Sequence, residues 1–227
     1  MTEITDHLAD IRARVANALV RAGRDDAVLL LAASKSQPAD AIREAFAAGQ
    51  RHFGENYVQE ALAKMEQLKD LSIEWHFIGA LQANKTRPVA EHFGWVHTLD
   101  REKLVRRLNA QRPHYAPPLN VLIQVNQAGE AQKAGVPEER VEELARFIRT
   151  QPRLCFRGLM SIPPAQTEPS PSAVYFTRLR ELKARLEDKG IEVPLLSMGM
   201  TADFEIAIES GSNCVRIGTG IFGPRRP

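Results

Sequence analysis

Short runs of apolar residues alternate along the chain with longer segments in which apolar residues recur every three or four positions. The first of the longer segments ends near Gly23, and its spacing predicts an amphipathic helix. The apolar positions of this helix are Ile4, Leu8, Ile11, Val15 and Leu19. The run from Val28 to Ala33 that follows has no polar alternation, which is typical of a parallel strand buried on both faces.

Strand and helix signals then alternate to the end of the chain. The strand signals lie at residues 28–33, 52–53, 75–79, 95–99, 121–125, 155–160, 195–199 and 215–219. Eight strand signals that alternate with helix signals in 227 residues predict an α/β fold, a single (β/α)8 barrel of the TIM type, as one domain over residues 1–227. The eighth strand leaves no room for a helix of its own, so we expect the extra N-terminal helix to complete the outer ring. The alternative, an open doubly wound sheet, lacks a G-x-G-x-x-G turn after the first strand.

Composition narrows the class of protein. The formal net charge is +2, so neither a nucleic acid nor a membrane surface is favoured as a partner. The N-terminus is polar and acidic, and no apolar run approaches the ~20 residues that span a bilayer, so we expect a cytoplasmic protein. Cys155 and Cys214 have neither metal-ligand spacing nor a nearby cysteine, and both are expected to be buried free thiols.

In a barrel of this type the chemistry lies where the strands end at the carboxyl face. Lys35 stands at that end of the first strand, where burial can lower a lysine pKa by up to ~3–5 units and free the amine to attack a carbonyl. The alternative is an inert lysine whose ammonium reaches back to water. Polar residues at other strand ends are Glu55, Asn56, His76, Asn126, Ser161 and Ser197.

Strands seven and eight end in glycine and hydroxyl residues, at the position where barrels commonly bind phosphate. The stretch from Ser197 to Thr201 leads into a predicted helix over residues 202–210 with Thr201 as its cap, and Gly218-Thr219-Gly220 offers backbone amides and a hydroxyl. We therefore expect a phosphate site across the barrel mouth from Lys35. The alternative is that these glycines only satisfy tight turns.

A lysine and a phosphate site together suggest a phosphorylated carbonyl compound as ligand. Two classes fit: a sugar phosphate in an aldolase, or pyridoxal 5′-phosphate (PLP) held as a Schiff base. Arg216 ends strand eight beside the phosphate loop, where it can reach the phosphate or the pyridine ring. Facing the ring, a protonated arginine would keep the pyridine nitrogen unprotonated and weaken the ring as an electron sink. The alternative for Arg216 is a salt bridge to Glu205 or Glu209.

Five motifs run from the first strand to the eighth. They are Ala33-Ser34-Lys35, Phe53 to Glu60, Trp75 to Lys85, Leu196 to Met200 and Val215 to Thr219. Together they resemble the pyridoxal-phosphate homeostasis protein family, whose barrel is similar to the N-terminal domain of alanine racemase. The chain departs from the family at Thr201, where serine is frequent, and at Ala128, where serine is usual.

This resemblance implies that Lys35 carries PLP as an internal aldimine and that Arg216 faces the pyridine nitrogen. It implies neither a metal site nor a separate catalytic residue. The other cofactor-binding residues that it implies are Asn56 and His76 near the ring, and Ser197, Gly199, Gly218 and Thr219 at the phosphate.

The sequence favours holding the cofactor over turning over a substrate. A two-base racemase needs a second proton donor, which in alanine racemase is a tyrosine supplied with an additional β domain. This chain ends eight residues after strand eight. We therefore predict a monomeric PLP-binding protein of intracellular PLP homeostasis without turnover, with apo PLP-dependent enzymes as recipients. The alternative is a PLP-dependent amino-acid racemase or a related enzyme. We assign no role to Lys85, to Lys133 or to the proline-rich loop over residues 162–171.

Overall fold

The computed structural model describes residues 2–127, 134–164 and 172–224. Eight parallel strands pair in chain order, and the eighth pairs back with the first, so the sheet closes into a barrel. The predicted (β/α)8 barrel is therefore confirmed. The strands are β1 (Leu29–Ala33), β2 (His52–Glu55), β3 (Glu74–Phe77), β4 (Trp95–Leu99), β5 (Leu119–Val125), β6 (Leu154–Ser161), β7 (Leu195–Met200) and β8 (Cys214–Ile217).

Helices cover the outside of the barrel. They are α1 (Glu3–Arg21), α2 (Ala39–Ala47), α3 (Val58–Gln67), α4 (Thr86–His92), α5 (Glu102–Gln111), α6 (Glu138–Arg149), α7 (Ser172–Glu187), α8 (Phe204–Glu209) and α9 (Thr219–Phe222), with a short 3₁₀ turn at Ala83–Lys85. None of the described helices has the length and apolar character needed to cross a membrane.

The N-terminal helix completes the outer ring, as predicted. Helix α1 packs against α8 and α9 and is followed by Gly23, whose φ of +63° suits the end of a helix. One expectation was wrong, because the four-residue helix α9 does follow β8. It fits because it is a single turn, which needs only the residues directly after the strand.

The hydrophobic core joins the helices to alternate residues of the strands, such as Phe53 and Phe77. The other residues of the strands point into the barrel, and several of them are polar. A hydrogen bond between His97 on β4 and Ser197 on β7 joins two strands that are not neighbours, so these side chains meet in the barrel interior. The chain thus places polar groups, fully buried, inside its barrel.

Two local predictions were wrong. Helix α8 begins at Phe204, with Asp203 at its N-cap position, because a turn over residues 200–203 precedes it. The Thr201 hydroxyl does not cap this helix; it accepts the amide of Gly220 at 3.3 Å and thereby links the loops after β7 and β8. Both cysteines are free thiols, but only Cys214 is buried, whereas Cys155 is half-buried.

Candidate functional site

Lys35 lies two residues after the end of β1, beside the end of β8. Strand β1 pairs with β8 through Ala32 and Ile217, and a side chain at Gly218 would lie 3.4 Å from the Ala33 carbonyl oxygen. The loop that begins at Gly218 is therefore adjacent to the lysine strand. The prediction that it lies across the barrel mouth from Lys35 was wrong, because closure of the barrel brings the last strand back beside the first.

Arg216 lies inside the barrel one residue before the end of β8. Its Nη1 donates to the carbonyl oxygen and the hydroxyl of Ser197 at 2.7 and 2.8 Å, and its Nη2 donates to the Ser161 carbonyl at 2.9 Å. All three acceptors are neutral. The arginine is 5% exposed, so its charge is almost completely removed from water.

The alternative of a salt bridge from Arg216 to the α8 carboxylates was wrong. Glu205 pairs with Arg14 and Glu209 pairs with Arg21, because α1 covers the outer face of α8. Within residues 2–127, 134–164 and 172–224, no carboxylate forms an ion pair with Arg216. Burial lowers the pKa of Arg216, and the charges of Cys214 and Asp203 oppose this shift. An arginine guanidinium stays protonated in proteins, so the site holds a buried cation without an ion-pair partner among the described residues.

A chain of hydrogen bonds leads from this arginine through the barrel. Ser197 Oγ lies 3.1 Å from His97 Nδ1, His97 Nε2 lies 2.9 Å from His76 Nδ1, and His76 Nε2 lies 3.0 Å from His52 Nδ1. Arg216 can only donate, so the Ser197 hydroxyl accepts from it and can donate its own proton to His97. Each neutral histidine then donates to the next, away from Arg216.

Burial keeps the two inner histidines neutral. Desolvation, with a smaller contribution from the charge of Arg216, lowers the pKa of His97 to about 3. Desolvation also lowers the pKa of His76 well below its ordinary value, and His97 and His52 lower it further. In the part of the chain that the structure describes, no group of three histidines, cysteines or carboxylates is arranged to hold a metal ion. These histidines therefore form a neutral hydrogen-bonded support behind Arg216.

The predicted residues Asn56 and His76 occupy different depths. Both ring nitrogens of His76 are bonded to other histidines, and its ring stacks on Trp95 with centroids 5.1 Å apart. Asn56 follows β2 at the rim and lines a cavity of about 390 Å³ together with Gln82 and Lys85. Its Oδ1 is buried and accepts no hydrogen bond from the described residues, so Asn56 is an available acceptor for a ligand.

The residues at the end of β7 have structural roles of their own. Gly199 has a φ of +93°, and a side-chain carbon there would lie 2.5 Å from the Cβ of Ala207. The close approach of α8 thus requires this glycine, as the tight-turn alternative expected. The Ser197 hydroxyl is fully buried and already bonded to His97 and Arg216. Thr219 is the first residue of α9, directly after Gly218.

Two polar residues near the site were not predicted from the sequence. His97 is one, and its position two residues after Trp95 on a strand was the available signal for an inward side chain. Lys64 is the other; it is buried and forms an ion pair at 2.9 Å with Glu55, the buried strand-end residue of β2. Lys64 lies on the buried stripe of α3 with Val58 and Ala61, and a lysine at helical spacing within an apolar stripe was the signal.

The positions left without a role are only partly described. Lys133 and residues 165–171 of the proline-rich loop lie outside the described residues. Lys85 lines the cavity beside Asn56, as given above.

Comparison with known proteins shows the family of this chain. The family model for the N-terminal domain of alanine racemase matches residues 7–226. A pyridoxal phosphate homeostasis protein from Pseudomonas aeruginosa is 51% identical over 226 residues, which cover 99% of this chain and 97% of that protein. The chain belongs to the pyridoxal phosphate homeostasis protein family. The protein of the same name from Escherichia coli is 47% identical over 229 residues, which cover 99% of this chain and 98% of that protein.

Solved structures of this family share the barrel. PipY from Synechococcus elongatus has been solved without PLP and with PLP bound, with TM-scores of 0.87 and 0.85 to this chain and identities of 36% and 35%. Each match covers 97% of this chain and all of PipY. Alanine racemase from Corynebacterium glutamicum is 18% identical, with a TM-score of 0.71 over 98% of this chain and 61% of that enzyme, so the likeness is one of fold.

Proposed function

We propose that this chain binds PLP as a reversible Schiff base on Lys35 and serves intracellular PLP homeostasis. The observation that carries the proposal is the buried cation of Arg216, whose partners are all neutral, on the strand next to that of Lys35. An unpaired buried charge is costly, and an anionic ligand such as a phosphorylated pyridine offsets that cost. The names of the family members and the PLP-bound structure of PipY support the same ligand.

The residues present fit this ligand. Bound PLP supplies an aldehyde carbon that a lysine amine can attack and a ring that can accept electrons. Arg216 stays protonated and, facing the pyridine nitrogen, keeps that nitrogen unprotonated. The Asn56 oxygen offers an acceptor at the rim, and His76 supports the interior behind it. We assign the phosphate to the ends of β7 and β8, with Gly199, Gly218 and Thr219 as its contacts and Ser197 as the residue that links this end of the barrel to Arg216.

We further propose that the chain holds and delivers the cofactor without turning over a substrate. Arg216 weakens the ring as an electron sink, and the relatives that match over nearly their whole length are named as homeostasis proteins. Apo PLP-dependent enzymes are the proposed recipients, by transfer of PLP from Lys35 to a lysine of the enzyme.

Absence of turnover is tested by exchange of amino-acid α-protons with deuterated water, followed by proton NMR. We expect no exchange above that of free PLP for any common amino acid. Exchange that requires both the protein and Lys35 would establish the alternative, an amino-acid racemase or a related enzyme.

The binding proposal is tested by the visible absorption of the protein after addition of PLP. Wild-type protein should show a bound Schiff-base band that Lys35→Ala lacks. Lys85→Ala is the matched control, because Lys85 lines the neighbouring cavity at the rim, and this variant should keep the band. An unchanged band in Lys35→Ala would overturn the assignment.

A further inference from the structure

The ammonium group of Lys64 is buried beneath the turn that carries Lys35. It donates to Glu55 Oε1 at 2.9 Å, to Glu60 Oε1 at 2.6 Å and to the Ser34 carbonyl oxygen at 2.9 Å. A lysine ammonium has three donors, so this one is saturated. The Lys64 side chain is 7% exposed and Glu55 is fully buried, so the group is part of the interior between the barrel wall and α3.

The same two carboxylates hold the residues on both sides of Lys35. The Ser34 hydroxyl donates to Glu55 Oε1 at 2.6 Å, and the Ser36 amide donates to Glu60 Oε1 at 2.7 Å. Lys64 bridges the two carboxylates. The backbone on each side of Lys35 is therefore tied to helix α3, at Ser34 by Lys64 and at Ser36 by Glu60, which Lys64 contacts.

This tie holds a turn that the sequence alone does not favour. The Gln37 amide donates to the Ser34 carbonyl at 3.0 Å, which closes a four-residue turn with Lys35 and Ser36 at its centre. Ser36 has a φ of +62° and is the one non-glycine residue with positive φ among those described. A turn with positive φ at the third residue favours glycine, and another residue there costs ~1 kcal/mol or more. The bonds to Glu60 and Lys64 offset this cost.

We propose that Lys64 is a positioning residue for Lys35, which fixes the direction in which the Lys35 side chain leaves β1 and so sets how readily its amine captures an aldehyde. This inference rests on the proposed function. In the step concerned, the Lys35 nitrogen forms a double bond to the aldehyde carbon of PLP, and the aldehyde oxygen leaves as water. Lys64 contacts neither reacting atom and acts through the backbone of Ser34 and through Glu60.

A contribution to folding stability alone is the competing explanation. Burying an ion pair costs desolvation free energy that offsets its attraction, so such pairs contribute little net stability. Burial already raises the pKa of Glu55, which Lys64 and Ser34 oppose, so without Lys64 this carboxyl can take up a proton. Protonation of Glu55 and the retained apolar stem limit the folding cost of Lys64→Met, which would otherwise leave a buried carboxylate unpaired, whereas the Ser34 carbonyl loses its bond to α3.

The experiment compares PLP binding with two readouts that do not depend on turnover. PLP affinity is measured by titration of the visible band. The reactivity of the Lys35 amine in ligand-free protein is measured by limited acylation and peptide mass spectrometry, and urea unfolding is recorded in parallel. The matched control is Lys69→Met, because Lys69 pairs with Glu66 at 2.6 Å just beyond α3 but is 73% exposed.

We expect Lys64→Met to weaken PLP binding by about 10- to 100-fold, since a misplacement of ~1 Å has effects of this size. The rate of Lys35 acylation should change in the same variant, Lys64→Arg should recover part of the affinity, and Lys69→Met should match wild type within about two-fold. If Lys64→Met does not fold, the double variant Glu55→Gln/Lys64→Met, which removes both buried charges, should show the same loss of affinity.

Wild-type affinity in whichever of these two variants folds would overturn the inference, and so would a loss of affinity with unchanged Lys35 acylation. Failure of the proposed function is a separate result. It would show as a wild-type protein without any Lys35-dependent band, whatever the behaviour of the Lys64 variants.

Discussion

His97 offers a test of the polar barrel interior through the dependence of stability on pH. It is fully buried as a neutral imidazole between His76, Ser197 and, beyond the serine, Arg216. None of these groups is a carboxylate that could stabilise a protonated His97. In the unfolded chain the same imidazole titrates near its ordinary pKa of about 6.5.

The sign and the size of the effect follow from these two states. The pKa of His97 is about 3 in the folded protein, so between pH 6.5 and about 3 the unfolded chain binds a proton at His97 and the folded protein does not. The contribution of His97 to folding stability is therefore fully present above pH 6.5 and is lost as the pH falls through this window. With 1.36 kcal/mol for each pKa unit, His97 alone removes about 2 kcal/mol of stability between pH 7 and pH 5.

The assay is urea unfolding of wild type and His97→Gln at pH 7 and pH 5. The glutamine keeps a donor and an acceptor in the interior but cannot titrate, so the variant should lose about 2 kcal/mol less than wild type between the two pH values. His114→Gln, which removes an exposed histidine, should lose as much as wild type. Equal losses in His97→Gln and wild type would refute the neutral, buried assignment.

Two further substitutions test the rim of the barrel. Arg216→Gln should weaken PLP binding by about 10- to 100-fold, because it removes ~1.5–3 kcal/mol of charged hydrogen bonding, with little loss of folding stability. A titration of the visible band measures the affinity, and the surface variant Arg14→Gln is the control. Gly199→Ala should lower the free energy of unfolding in urea by ~1–3 kcal/mol more than Gly190→Ala, because both glycines have positive φ but only Gly199 faces a close neighbour. Equal PLP affinities of Arg216→Gln and Arg14→Gln, or equal losses of unfolding free energy in Gly199→Ala and Gly190→Ala, would contradict the geometry described above.

The barrel could be predicted because each strand and helix carries its own local pattern. The unbroken apolar run before Lys35 and the helical spacing of residues 4–19 both correspond to elements found in the structure. The short helix α9 was missed because a single turn has too few residues for a periodic signal. The capping role given to Thr201 failed for a similar reason, since whether a threonine caps a helix or bonds another loop depends on tertiary contacts.

For the candidate site, the sequence named residues but not their arrangement. Strand ends and family motifs pointed to Lys35 and Arg216. The predicted closed barrel already implied that β8 lies beside β1, which the placement of the phosphate site across the mouth overlooked. Sequence spacing could not show that Arg216 lacks an ion-pair partner among the described residues, because Glu205 lies on the next helix and pairs with α1 instead. The network around His97 depends on contacts between non-neighbouring strands, which only the closed barrel creates.

The central claim is that Lys35 is the residue that holds PLP. Its most direct test is reduction of the PLP-loaded protein with borohydride, followed by proteolysis and mass spectrometry of the peptides. We expect one reduced pyridoxyl group per chain, on the peptide that contains Lys35. Modification of another lysine, such as Lys64 or Lys85, with Lys35 left unmodified would contradict it.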